Sequence, residues 1–185
     1  MKGETPISQK ARTAPPLLTL NPQGVPLQNY KSHLIQARKA KHPMSEENKA
    51  VSRRFHEAIG KGSTQALQEE LAPNYVAHFP GVPGPLDAEG FKGLVNVFAT
   101  GFPGSHFDFD DEFAVGDKVV TRWTWHAVHS GEFQGLPPTG KKVTMTGITI
   151  LRLTDGKVVE NTVELDQLGL LQQLGVVPPP PGQGG

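Results

Sequence analysis

The apolar positions of this chain keep a helical period three times and then switch to alternation. Val51, Phe55, Ala58 and Ile59 recur at the spacing of one helix face. Ser45 stands before them as a candidate N-cap, with Glu46 and Glu47 in the first turn where the helix dipole favours acids. Gly60-Lys61-Gly62 stops that helix. Ser63 or Thr64 opens a second one, with Leu67 and Leu71 inward and Pro73 just past its end. An extended piece, Asn74 to Phe79, and a turn-rich loop, Pro80 to Pro85, precede a third helix capped by Asp87. Its apolar stripe is Phe91, Leu94, Val95, Phe98 and Phe102, and Pro103-Gly104 ends it.

From there the period is two. Phe107, Phe109, Asp111, Phe113 and Val115 alternate with polar residues and share one face. Lys118 to Ser130 is a long strand, with Val119, Thr121, Trp123, Trp125, Ala127 and His129 on one face. Arg122 and His126 fall on the other, where His126 reads as a surface or interface residue and Arg122 as a partner for an acid across the sheet. A loop, Gly135 to Lys142, leads to two strands joined at Asp155-Gly156. That dipeptide supplies the two positive φ angles of a type I′ turn. On the last strand Val158, Glu160, Thr162, Glu164 and Asp166 share one face, and Val159, Asn161, Val163 and Leu165 the opposite one. An apolar helix up to Gly175 closes the pattern. Helices first and a run of strands after them predict an α+β domain: a cone-shaped, curved antiparallel sheet packed on three helices.

Composition sets the limits of this domain. Of the 185 residues, 36% are apolar, enough for one core plus extra loop. Residues 1–43 are rich in proline and carry net charge +6, against −6 for the remainder. They read as a basic, disordered extension with at most a weak helix over 30–41, or as residues ahead of a natural start at Met44. The domain then runs from 44 to 175, and 176–185 is a Pro/Gly-rich tail. There is no cysteine, which excludes disulfides and thiol catalysis. No apolar run has the length of a membrane span, and no apolar run of signal-peptide type opens the chain. The expected location is cytoplasmic. A net charge of zero gives no reason to expect nucleic acid.

The stretches NKAVSRRFHEAIGKGSTQALQEELAPNYVAHFP, GDKVVTRWT, HSGEFQGLPPTGKKVTMTGITILRLTDGKVVE and DQLGLLQQLG resemble the SnoaL-like polyketide cyclases (ester cyclases), within the nuclear-transport-factor-2-like fold. The resemblance covers Met44 to Gly175. It implies a small, cofactor-free enzyme that closes a ring by intramolecular aldol condensation. It also implies an aspartate at the end of the last strand as acid/base, which is Asp166 here. His78 and His129 match histidines of the family's pocket, and Trp123 matches a frequent aromatic. Thr162, Leu165 and Arg152 depart from the pattern, standing where the family tends to have tryptophan, another aromatic and histidine.

The chemistry asks little of the protein. A carbon between two carbonyls is acidic, because its carbanion spreads onto both oxygens, so one placed carboxylate can remove the proton and return it to the new alkoxide. The resemblance thus makes Asp166 the base, with His129 and His78 polarising the carbonyls. A small apolar, carbonyl-rich substrate would lie against Trp123, Thr162, Phe98 and Phe102. Each role has a plainer counterpart: Asp166 as N-cap of the closing helix, His78 packed at the rim, His129 at a sheet edge or dimer contact. His78, His129 and Asp166 form a two-histidine, one-carboxylate set in composition, but no short spacing fixes it, so no metal is expected. Two alternatives use the same scaffold: a non-catalytic ligand-binding or dimerising domain, and a hydrolase or isomerase. Fold analogy predicts a homodimer through the outer sheet face. The reading turns on whether Asp166 lies inside an apolar pocket with a histidine nearby.

Overall fold

The computed structural model describes residues 45–178; the extension 1–43, its weak helix, Met44 and most of the Pro/Gly tail lie outside the described residues. The first helix, α1, is already formed at residue 45 and runs to 60. Then come α2 (Thr64–Glu70), β1 (Leu71–His78), α3 (Ala88–Gly101), β2 (His106–Val115), β3 (Lys118–Val128), β4 (Lys142–Thr154), β5 (Lys157–Leu165) and α4 (Gln167–Leu174). This is the expected α+β order, with β1 starting three residues earlier than the pattern suggests. Pro73 is tolerated there because β1 is an edge strand.

Helix starts follow the sequence signals. Ser63 Oγ accepts from the Ala66 N–H at 3.3 Å, and Asp87 Oδ1 accepts from the Gly90 N–H at 2.8 Å. These bonds satisfy donors that the first helical turn leaves open. At the β4–β5 turn, Asp155 and Gly156 have φ of 51° and 73°, as a type I′ hairpin requires.

The five strands lie in the order β1-β5-β4-β3-β2 and do not close into a barrel. Strands β2 to β5 are antiparallel, while β1 joins β5 in parallel, so the sheet is mixed rather than wholly antiparallel. The connection from β1 through α3 makes this possible, since parallel neighbours need a long crossover.

The inner face of β3 is the one the alternation picks out: Val119, Thr121, Trp123, Trp125 and His129 are buried. Strand β2 departs from it. The pairing slips between Phe109 and Asp111, a bulge with Asp110 as the extra residue. One added residue reverses which side chains face inward. Phe107 and Phe109 therefore point in, but Phe113 and Val115 are 61% and 78% exposed. Glu112 turns inward instead and meets Arg53 of α1 at 2.7 Å.

Two apolar clusters fill the interior. One gathers Phe55, Leu67, Tyr75, Phe91, Val95 and Leu151 between α1, α3 and the sheet. The other gathers Phe102, Trp125, Phe133, Met145, Leu170 and Leu174 beneath α4. The candidate site lies where they meet.

Candidate functional site

A cavity of about 70 Å³ is walled by α1, α3 and the inner faces of β2 to β5. Its wall is mostly aromatic and aliphatic: Phe55, Phe91, Phe98, Phe107, Trp123 and Trp125 on one part, Leu94, Val95, Met145, Val163 and Leu165 on another. Phe107 meets Trp123 edge-on, with ring centroids 5.1 Å apart. A wall of this kind suits apolar groups, and the few polar groups in it would decide the orientation of anything bound.

Those groups are His56, Ser105, Thr149 and Asn161, together with the indole N–H of Trp123. Trp123 Nε1–H donates to Thr149 Oγ1 at 2.8 Å. Thr149 Oγ1 also lies 3.2 Å from His56 Nε2, and His56 Nδ1 lies 2.8 Å from the Ser52 carbonyl oxygen. A carbonyl only accepts, so Nδ1 carries the proton, Nε2 accepts, and the threonine hydroxyl donates to it. Burial pulls the His56 imidazole down from 6.5 to about 4, partly opposed by the Ser52 carbonyl. The ring is therefore neutral near pH 7. Ser52 Oγ and Thr121 Oγ1, 3.0 Å apart, extend the buried polar chain to a second strand residue.

Asn161 is 2% exposed, and its Oδ1 has no hydrogen-bond partner among the described residues. The Tyr75 hydroxyl likewise makes no hydrogen bond of good geometry, although the Asn161 amide is its neighbour. Burial pushes the Tyr75 phenol up, and the Asn161 amide works against that shift. A buried, unpartnered amide oxygen in a cavity wall is a waiting acceptor for a ligand hydrogen.

The expected site residues divide. Trp123 and Phe98 line the cavity. Phe102 is fully buried behind it, at 5.1 Å from Trp125, and is core rather than wall. Thr162 is not part of the wall: the inner residues of β5 are Asn161, Val163 and Leu165, so Thr162, Glu164 and Asp166 belong to the opposite face. Asp166 is exposed, and its Oδ1 accepts from the Gly169 N–H at 2.8 Å as the N-cap of α4. This is the plainer of its two roles, a helix cap, and among the described residues no carboxylate lines the cavity.

The two histidines are elsewhere as well. His78 is on the outer face, 3.3 Å from Glu160, whose carboxyl Arg152 holds below its usual range through a 2.8 Å hydrogen bond. His129 is fully buried but outside the cavity wall. The Thr139 N–H donates to its Nδ1 at 3.2 Å, and its backbone pairs with Gly140 and Lys141. It pins the base of the loop between β3 and β4, not a sheet edge.

His56, Thr149 and Asn161 were the residues to find. Each is a polar side chain on an otherwise apolar face: His56 one position from Phe55 and four from Ser52, Thr149 between Gly147 and Leu151, Asn161 between Val159 and Val163. A polar residue inside an apolar stripe is the informative exception.

A cone-like α+β scaffold with an apolar cavity between sheet and helices is the nuclear-transport-factor-2-like class. Within it, residues 49–174 match the family model described as SnoaL-like polyketide cyclase, and the chain belongs to that family. It is 30% identical over 135 residues to the aklanonic acid methyl ester cyclase DauD of Streptomyces sp. (strain C5), covering 70% of this chain and 82% of that one. The corresponding cyclase DnrD of Streptomyces peucetius is 29% identical over 135 residues, covering 70% and 91%. Among solved structures, wild-type IdmH of Streptomyces antibioticus, a candidate polyketide cyclase, superposes with a TM-score of 0.63 at 33% identity, covering 69% of this chain and 98% of its own. AclR of Streptomyces galilaeus, a candidate hydroxylase, superposes with a TM-score of 0.68 at 28% identity, covering 75% and 91%.

Proposed function

We propose that this chain takes a small, largely apolar, carbonyl-bearing molecule of polyketide type into the cavity and closes its ring by cofactor-free proton transfer, with His56 at the reacting carbon in place of Asp166. The observation that carries this reading is that, among the described residues, His56 is the one titratable side chain in an otherwise uncharged wall. A cavity without fixed charge favours a neutral substrate, since a charged one would lose its hydration without a counter-charge. The named cyclases among the relatives support the reaction class.

The step balances without an added reagent. The proton of a carbon between two carbonyls passes to His56 Nε2. The carbanion attacks a second carbonyl carbon of the same molecule, forming the new C–C bond. The resulting alkoxide takes the proton back. Thr149 must turn its hydroxyl from His56 for this, and it is then free to donate to a substrate oxygen. A lone imidazolium is disfavoured in this wall, which is why the free ring is so weak a base. An enolate beside it supplies the opposite charge, so the pair is disfavoured far less than the single ion. Asn161 Oδ1 would accept a hydrogen from a substrate hydroxyl and fix its orientation.

A second reading keeps the ligand and drops the chemistry. It is favoured by His56 Nε2 already being engaged by Thr149 and by the lack of a carboxylate in the wall. Incubation with an activated β-ketoester, wild type beside Asp166→Asn and His56→Gln, separates the readings. Turnover lost only in His56→Gln supports the proposal. Turnover lost in Asp166→Asn restores the aspartate, and saturable binding without turnover in any form supports the second reading. Pairing with a second copy would use the outer sheet face, where Ile148 and Ile150 are exposed; a monomer mass of the full chain in light scattering would refute it.

A further inference from the structure

The outer face of the β2–β3 pair holds ligand-type side chains that the cavity does not use. His106 and His126 stand directly opposite each other in the antiparallel register. Their rings stack with centroids 5.1 Å apart and planes 19° from parallel. Asp108 lies two residues along β2, hence on the same face, and its Oδ2 is 3.1 Å from His126 Nε2. One ligating atom from each of the three lies within 4.8 Å of the other two. The neighbouring charges are engaged elsewhere. Arg122 binds Asp110 at 3.0 Å and Asp111 at 2.8 Å, and Thr124 also donates to Asp110. The bulge at Asp110 is what separates those two acids from Asp108.

We propose that His106, Asp108 and His126 form a binding site for a divalent transition metal ion of the Zn²⁺ type, clipping the edge strand β2 to β3. Two imidazoles and a carboxylate suit zinc, nickel or copper, whereas magnesium and calcium prefer oxygen ligands throughout. Ligand atoms held about 2.0–2.2 Å from a tetrahedral ion sit roughly 3.3 Å from one another. The cluster therefore needs to close by roughly 1.5 Å at most. Side-chain rotation supplies that, because His106 and Asp108 are exposed and His126 is half-buried. The backbone beneath is an unbroken ladder from His106 to Phe109, so the three Cα positions are fixed before the ion arrives. The same exposure leaves the remaining coordination positions to water.

The ion would not take part in the cavity's chemistry. Phe107, Trp123 and Trp125 alternate with these residues and face the cavity on the other side of the sheet. Its consequence is mechanical. Among the described residues β2 pairs only with β3, and it carries Phe107 of the cavity wall, so a metal clip would hold that wall in place.

The test is calorimetric titration of the untagged full chain with Zn²⁺ in a non-chelating buffer. Wild type is compared with His106→Ala, His126→Ala and Asp108→Asn, and with His78→Ala as a control for a surface histidine paired to an acid. Circular dichroism checks that each variant keeps its fold. One saturable site is expected in wild type and His78→Ala. It weakens by at least about tenfold in His106→Ala and His126→Ala. Co²⁺ in its place gives visible absorption bands that the same two variants lose. Equal binding in all variants, or wild type holding Zn²⁺ no better than Mg²⁺, overturns the proposal.

Discussion

Trp123 Nε1–H donates to Thr149 Oγ1 at 2.8 Å, and the same hydroxyl lies 3.2 Å from His56 Nε2, to which it donates. One threonine thus holds the indole and meets the histidine nitrogen that the Ser52 carbonyl leaves as an acceptor. Replacing it with valine keeps the volume but leaves a buried donor and a buried acceptor without partners. Thr149→Val is expected to lower unfolding stability by about 1–3 kcal/mol, read by urea denaturation. An unchanged midpoint would mean that the chain Trp123–Thr149–His56 contributes nothing to the fold.

Trp123 also depends on the residue across from it. Gly147 is its register partner on β4, and a Cβ at Gly147 would collide with the six-membered ring of the indole. Gly147→Ala must push that ring towards the cavity or part the strands. It is expected to cost about 1–3 kcal/mol, as overpacking does, and to shift tryptophan fluorescence. A stability and a spectrum like wild type would contradict this account of the wall.

Acid should destabilise the domain through His56. Its pKa is about 4 in the folded protein against 6.5 as the ordinary value, so the unfolded chain binds the extra proton between those limits. Stability from this group is complete above pH 6.5 and is lost as pH falls towards 4, by about 3 kcal/mol in all. His56→Gln should flatten that part of the stability–pH curve. A slope that persists in the variant would place its origin in other groups.

Asp166 should behave as a cap. Asp166→Ala is expected to cost about 1 kcal/mol, while Asp166→Asn, which keeps an accepting oxygen, changes little. The two variants should bind ligand alike. Equal stability of both variants would remove the capping role from Asp166.

Much of this fold is legible in the residues. Ser63, Asp87 and Asp155-Gly156 mark helix starts and a hairpin through local chemistry that needs no tertiary context. Alternation along Lys118–Ser130 marks the correct inner face, because β3 is unbroken. It misleads at Phe113 and Val115, since the bulge at Asp110 depends on how two strands pair. The site was less legible than the fold. A family position drew attention to Asp166, yet strand parity places it with Thr162 and Glu164, away from Asn161 and Val163. The two faces of β5 can be written from the sequence, but which one turns inward depends on the packing of β5 against β1 and β4. His56 stands beside the stripe of Val51, Phe55, Ala58 and Ile59, and nothing in the helical period alone separates it from a surface histidine.

The most direct measurement is the exchange of solvent deuterium into the carbon between the two carbonyls of an activated β-ketoester, followed by NMR above the buffer rate. It reads proton removal itself and does not require the natural substrate. Wild type and Asp166→Asn are expected to accelerate exchange, and His56→Gln to lose about 10²–10⁴-fold of that acceleration. Acceleration kept by His56→Gln and lost by Asp166→Asn would contradict the account.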